Sequence, residues 1–306
     1  MKQQIRLVSL SLFLLILLLV PFTAAAAEAT VAVTIVPQIE MVEAIVGDKV
    51  EVVEMIPKGF SPSNYAPSPA EMRAFNKAGI YFSMGVPADI QNILPRAEAV
   101  SGLKVIKLFE EIEAEYPNRY FGERKEQPED EAANEHSHQG GRDPHIWLSP
   151  DRVKYMVQIM RDELIKILPQ YENEFKENAA QYLSELAAAD QENSKLLAPY
   201  QGESILVYHP SFGYFTEHYG LEMMAIEEEG KDPGPRHLQD IIKMAAEKGI
   251  KNVFYQAEID SRKTRAVAEE LSGDIVELNP LAENYIQNLK VMAQKMAAEL
   301  AERDDK

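Results

Sequence analysis

Six histidines and no cysteine define the chemistry open to this chain. His145 stands in Gly141-Arg142-Asp143-Pro144-His145-Ile146-Trp147-Leu148-Ser149-Pro150, which also carries the only tryptophan. Asp143 is a turn or N-cap residue, Pro144 fixes φ, and Ser149-Pro150 with Asp151 signals a helix start. An imidazole held on so stiff a turn suits a metal ligand or a catalytic group. The competing reading is a histidine packed on Trp147. His209 opens a second motif, His209-Pro210-Ser211-Phe212-Gly213-Tyr214-Phe215, directly after a β-rich run. His136 and His138, as His-Ser-His beside Glu135, could capture a metal loosely, or be incidental in a solvated linker. His218 is expected on a helix face, and His237 exposed or capping. Without cysteine, thiolate-bound zinc and thiol catalysis are excluded.

These residues need elements to hold them. Residues 30–36 are β-rich and end at Pro37. Helical spacing over 38–46, a strand at 50–55, a Pro- and Gly-rich loop at 57–69, a helix over 69–78 and strands at 80–84 and near Val105-Ile106 follow. Residues 110–142 are dense in acidic and amide side chains and predict a mobile loop. Residues 151–199 read as helix, divided at Pro169, and the second piece is up to ~40 Å long at the helical rise. The strand–helix rhythm then returns, with strands at 204–208, 223–226, 252–255 and 275–278 and a closing helix over 285–303. The fold class expected is α/β: two parallel-sheet lobes joined by a long rigid backbone helix. The expected domains are 28–180, with the acidic His loop 110–142, and 181–306, with the boundary inside that helix.

In such folds ligands sit at the carboxyl ends of strands. Strand exits here carry Ser63-Asn64-Tyr65, His209, Gln256 to Asp260 and Asn279, with His145 on its own turn. His145 and His209 come from opposite halves and could meet in a cleft between them. Two imidazoles with one or two oxygen ligands suit Zn²⁺.

The composition is that of a globular protein with a formal net charge of −18. That charge argues against nucleic acid, which needs a basic face. Lys2 and Arg6, the apolar run 7–22 and Ala25-Ala26-Ala27 form a secretory signal expected to be cleaved. An exported chain with no lipid-modifiable cysteine is expected free in the periplasm.

The chain resembles the zinc/manganese solute-binding proteins of ABC uptake systems, the ZnuA/TroA type. The resemblance rests on Pro57-Lys58-Gly59 with Pro62 to Pro69, the decapeptide around His145, the heptapeptide at His209, Glu229-Gly230 with Pro233 to Pro235, and Asn279-Pro280-Leu281. It implies metal held between two α/β lobes, with His145 and His209 at two ligand positions. A histidine rather than a carboxylate at 209 leans toward zinc over Mn²⁺ or another divalent transition metal. Two positions depart from the family pattern: Ser63 stands where a histidine is usual, and Asn279 where many members have aspartate. Glu258 is expected first to fill the shell, with Asn64, Tyr65 and Asn279 as further candidates. The competing reading of Glu258 is a surface pair with Lys251 or Arg262.

The function implied is capture of a divalent metal, Zn²⁺ first, and delivery to an ABC-transporter permease by a monomer, with no catalysis. The alternatives are a secreted zinc-dependent hydrolase and a metal-binding adhesin or metallochaperone. Against the hydrolase, the sequence holds neither His-Glu-x-x-His nor Gly-x-Ser-x-Gly.

Overall fold

A computed structural model describes residues 27–121, 141–228, 231–258 and 261–304. The secretory signal, apart from Ala27, and His136 and His138 lie outside the described residues.

The first half is β1 (Ala29–Ile35), α1 (Pro37–Val46), β2 (Val50–Ile56), α2 (Pro69–Phe75), β3 (Ile80–Ser83), α3 (Leu94–Ala97), β4 (Lys104–Lys107) and α4 (Leu108–Glu113). α5 (Pro150–Ile167) and α6 (Glu172–Leu197) lead to β5 (Ser204–Val207), α7 (Gly213–Tyr219) and β6 (Glu222–Ala225). α8 (Pro235–Glu247), β7 (Val253–Tyr255), α9 (Ser261–Glu270), β8 (Ile275–Glu277) and α10 (Tyr285–Asp304) complete the chain. The strands form two four-stranded sheets, ordered β2-β1-β3-β4 and β6-β5-β7-β8. Every pairing in both is parallel. The expected class, two parallel α/β lobes with a long helix between, is the one observed.

The central strands β1, β3, β5 and β7 are largely buried, as parallel strands covered by helices on both faces are. From Val31 to Ile35, β1 is buried throughout, Thr34 included. Pro169 ends α5, since it can donate no amide hydrogen to the helix. The 26 residues of α6 span about 39 Å at 1.5 Å per residue. This helix lies against α1, α5 and α10. Its first turns serve the first half: Asn178 donates to the Ile45 carbonyl and the Tyr182 hydroxyl to Glu40. Its later turns serve the second: Asn193 donates to Tyr219 and to the Leu289 carbonyl. One apolar core runs continuously from β1 through α6 to α10, and a smaller cluster around Leu206, Ile226 and Val253 fills the second half's other face.

One expectation needs correction. Residues 110–121, read as mobile loop, are built in. α4 continues to Glu113 with Ile112 buried. Tyr116 packs its ring at 6.2 Å from Tyr155, and Tyr120 bridges Arg142 in antiparallel pairing. Enough apolar and aromatic residues are interleaved among the acids to anchor the segment. The remainder of that loop, 122–140, lies outside the described residues.

Candidate metal centre

In a doubly wound sheet the crevice opens where the strand order reverses, between strands that are neighbours in space but not in sequence. Here that point lies between β1 and β3 in one sheet and between β5 and β7 in the other. Residues following β3, β5 and β7 meet there. Val86 and Pro87, His209, and Gln256 line one cavity of about 260 Å³, together with His145, Arg142, Trp147, Ser63 and Pro280.

His145 precedes a short 3₁₀ turn, Ile146–Leu148. Asp143 Oδ1 accepts from the His145 backbone amide at 3.0 Å and from its ring Nδ1 at 2.8 Å. A single buried carboxylate thus sets both the turn and the ring. His209 is held the same way, with Nδ1 at 2.6 Å from Glu227 Oε2. The two imidazoles meet at 5.4 Å between ring centres, inclined at 76°. Engaging Nδ1 leaves Nε2 as the nitrogen available to a ligand on each ring. A carboxylate behind a histidine fixes the tautomer and raises its basicity toward a metal. Burial lowers the His145 pKa, and the neighbouring His209 and Arg142 act in the same direction against Asp143. That direction favours the neutral ring, the form that binds metal.

The surrounding frame is rigid. Trp147 is 1% exposed, donates Nε1–H to the Pro280 carbonyl at 2.8 Å, and accepts from the Tyr285 hydroxyl at 2.7 Å through its own carbonyl. These bonds fasten the His145 turn to the second half. Asp89 accepts from Tyr81, Ser83, Thr34 and the Gly85 amide, which pins the loop after β3. Arg119 lies 3.5 Å from Asp143 and also pairs with Glu217 on α7. Its backbone amide donates to the Tyr214 hydroxyl oxygen at 2.8 Å.

His145 and His209 are brought together. The other candidates are not. Glu258, expected as the third ligand, lies outside the cavity lining. Its Oε2 is buried with no hydrogen-bond partner among the described residues, and burial raises its carboxyl above the ordinary range. Tyr65 is committed to Glu71 at 2.7 Å. Asn279 closes its own turn by accepting from the Leu281 amide at 2.9 Å. Asn64 is exposed and lines no part of the cavity. Ser63 lines the cavity although it is exposed to solvent. Among the described residues, no three His, Asp or Glu side chains converge as a metal-ligand group. His218 faces Asp190 at 2.7 Å and Asp151 at 3.6 Å, away from the cavity, and His237 pairs with Glu228 at 3.2 Å.

Sequence reasoning gave no role at the site to Glu227 or Arg142, read Asp143 only as a turn residue, and named Gln256 only as the start of a polar strand exit. Glu227 had a readable signal. Parallel register sets Val207 against Ala225, which puts position 209 level with 227. Gln256 is the first residue after β7, at the reversal point.

A family model for the periplasmic zinc-uptake complex component A matches residues 31–299. The zinc-binding protein AdcA of Streptococcus pyogenes is 26% identical over 263 residues, covering 82% of this chain and 50% of its own length. The zinc-binding lipoprotein AdcA of Streptococcus pneumoniae is 26% identical over 282 residues, covering 86% and 55%. The chain thus spans about half the length of the curated relatives it matches. A crystal structure of ZnuA superposes with a TM-score of 0.77 at 30% identity, covering 89% of this chain and 98% of that one. The periplasmic zinc-binding protein TroA from Treponema pallidum shares the fold, with a TM-score of 0.74 at 17% identity.

Proposed function

The chain belongs to the family of periplasmic zinc-uptake component A proteins, and on that premise we propose that it captures Zn²⁺ between its two halves and delivers it to an ABC permease. The observation that supports this most is the pairing of His145 and His209, 5.4 Å apart between ring centres, each with Nδ1 held by a carboxylate. Nitrogen donors favour zinc over harder ions such as Mn²⁺. The relatives named zinc-binding proteins agree with that choice.

The halves 28–180 and 181–306 act as the two jaws in this reading. The long α6 and the continuous core resist wide hinge opening, so release goes by small shifts of the ligand loops. Export behind a cleaved signal, residence in the periplasm and action as a monomer belong to the same proposal. Among the described residues no helix is long and apolar enough to cross a membrane. No catalytic step is assigned. The hydrolase alternative depended on Glu258 near the metal, and that residue is not gathered with the histidines.

The test is calorimetric titration of zinc into the protein beside His145→Ala and His209→Ala. One tight equivalent, lost in either variant, supports the reading. Tight zinc that survives both substitutions refutes it.

A further inference from the structure

The donor set described above carries no negative charge of its own: two imidazoles, the Gln256 amide and the Ser63 hydroxyl line the cavity. The negative charges stand one step back, on Asp143 and Glu227 behind the rings. Against them stand two positive side chains. Arg119 is shared between Asp143 and Glu217. Arg142 lines the cavity itself.

Arg142 is unusually placed. Its guanidinium lies 4.8 Å over the Phe109 ring and donates Nη2 to the Gly85 carbonyl, a neutral partner. Its Nη1 is buried with no hydrogen-bond partner among the described residues. Burial lowers its pKa against the pull of Asp143 and of other nearby groups. A guanidinium nevertheless stays charged, and its planar fork matches a carboxylate or oxyanion.

A divalent ion between His145 and His209 adds two positive charges to that of Arg142. Asp143 and Glu227 offset two of the three, and Arg119 already draws on Asp143. Counted over the described residues, the filled cavity is left with at least one uncompensated positive charge, and burying such a charge is strongly unfavourable. There is also room. A water's share of liquid is about 30 Å³, and the cavity measures about 260 Å³. Several atoms fit beside the ion.

We propose that this cavity takes its metal together with one small anion, a carboxylate or an inorganic oxyanion, that completes the metal's shell and is held by Arg142. The inference rests on the zinc-binding reading above. It would explain how a chain with Ser63 and Asn279 at usual ligand positions binds metal: the anion that arrives with the ion takes the place of a missing protein ligand.

The experiment is zinc titration of the exported protein in a non-coordinating buffer stripped of bicarbonate. Acetate, bicarbonate and inorganic phosphate are added separately at constant ionic strength set by perchlorate. At least a tenfold gain in zinc affinity is expected with one of them, with about one anion taken up per zinc by linkage. Response to acetate alone identifies a carboxylate, and response to phosphate or bicarbonate an oxyanion. Arg142→Gln should lose the gain. Should that variant fail to fold, Co²⁺-loaded wild type supplies an independent readout: the same anion must alter the visible ligand-field spectrum. Tight zinc binding that ignores all three anions overturns this inference and leaves the zinc-binding reading standing. Absence of zinc binding under every condition overturns both. An undiminished anion response in folded Arg142→Gln removes Arg142 from the account and overturns the inference as stated.

Discussion

Asp143→Asn isolates the carboxylate charge behind His145. The substitution keeps the shape and leaves an amide oxygen able to accept from the backbone amide and Nδ1, now at 3.0 and 2.8 Å. What is lost is a negative charge about one imidazole away from the ion. A unit charge about 7 Å from a divalent ion, at an effective dielectric near 20, is attracted by about 5 kcal/mol. Arg119, 3.5 Å from the same carboxylate, offsets a large part. Measured losses on removing such partners are about 10- to 100-fold in metal affinity, or about 1.4 to 2.7 kcal/mol. We expect zinc affinity to fall within that range. A competition titration against a chromophoric zinc chelator at neutral pH measures it, with the thermal unfolding midpoint of the apo protein as the control for folding. Affinity unchanged within about threefold in a folded variant refutes the claim that Asp143 strengthens His145 as a ligand.

Further outcomes follow from the same geometry. Ser63→His places an imidazole on the cavity wall and should raise zinc affinity at least tenfold in the same competition assay; no gain would mean the loop at 61–63 does not reach the ion. Trp147→Ala empties a fully buried site and removes the bond to Pro280, so denaturant melts should show a loss of about 3–5 kcal/mol. Burial would raise the Asp190 carboxyl, but hydrogen bonds from His218 and Lys154 outweigh it and bring it down to about 2. A depressed carboxylate stabilises the fold above its unfolded pKa of about 4 and loses that contribution as pH falls toward 2. Asp190→Asn should therefore destabilise the protein by about 1 kcal/mol near pH 7 after allowance for solvent screening. The difference should shrink in melts taken between pH 4 and pH 2.

Much of this architecture is legible in the sequence because its signals are local. Apolar β-branched runs, Pro37 and Pro169 at boundaries, and helical spacing over α6 each act over a few residues. The stiff turn at Asp143-Pro144-His145 and the strand exit at His209 are local signals too. What lies beyond such local signals is side-chain direction and partners distant in sequence. Glu258 was favoured as a strand-exit carboxylate, yet the reversal point places Gln256, two residues earlier, in the cavity. Asn279 leaves β8, an edge strand, and its side-chain oxygen accepts from the Leu281 amide within its own turn. Tyr65 is likewise consumed by Glu71 at the start of α2, through a contact that spacing alone does not reveal. The 110–121 segment misled by composition, since Ile112 and Tyr116 are enough to anchor a largely acidic stretch. Glu227 was within reach, because parallel register alone aligns it with His209 once β5 and β6 are paired.

The most direct measurement is an anomalous difference map, collected at the zinc edge, from crystals of the protein loaded with one equivalent of zinc. The account predicts a single strong peak between the rings, with both His145 Nε2 and His209 Nε2 about 2.0–2.1 Å from the ion. A peak elsewhere on the chain, or one bound by only one of these histidines, would contradict it.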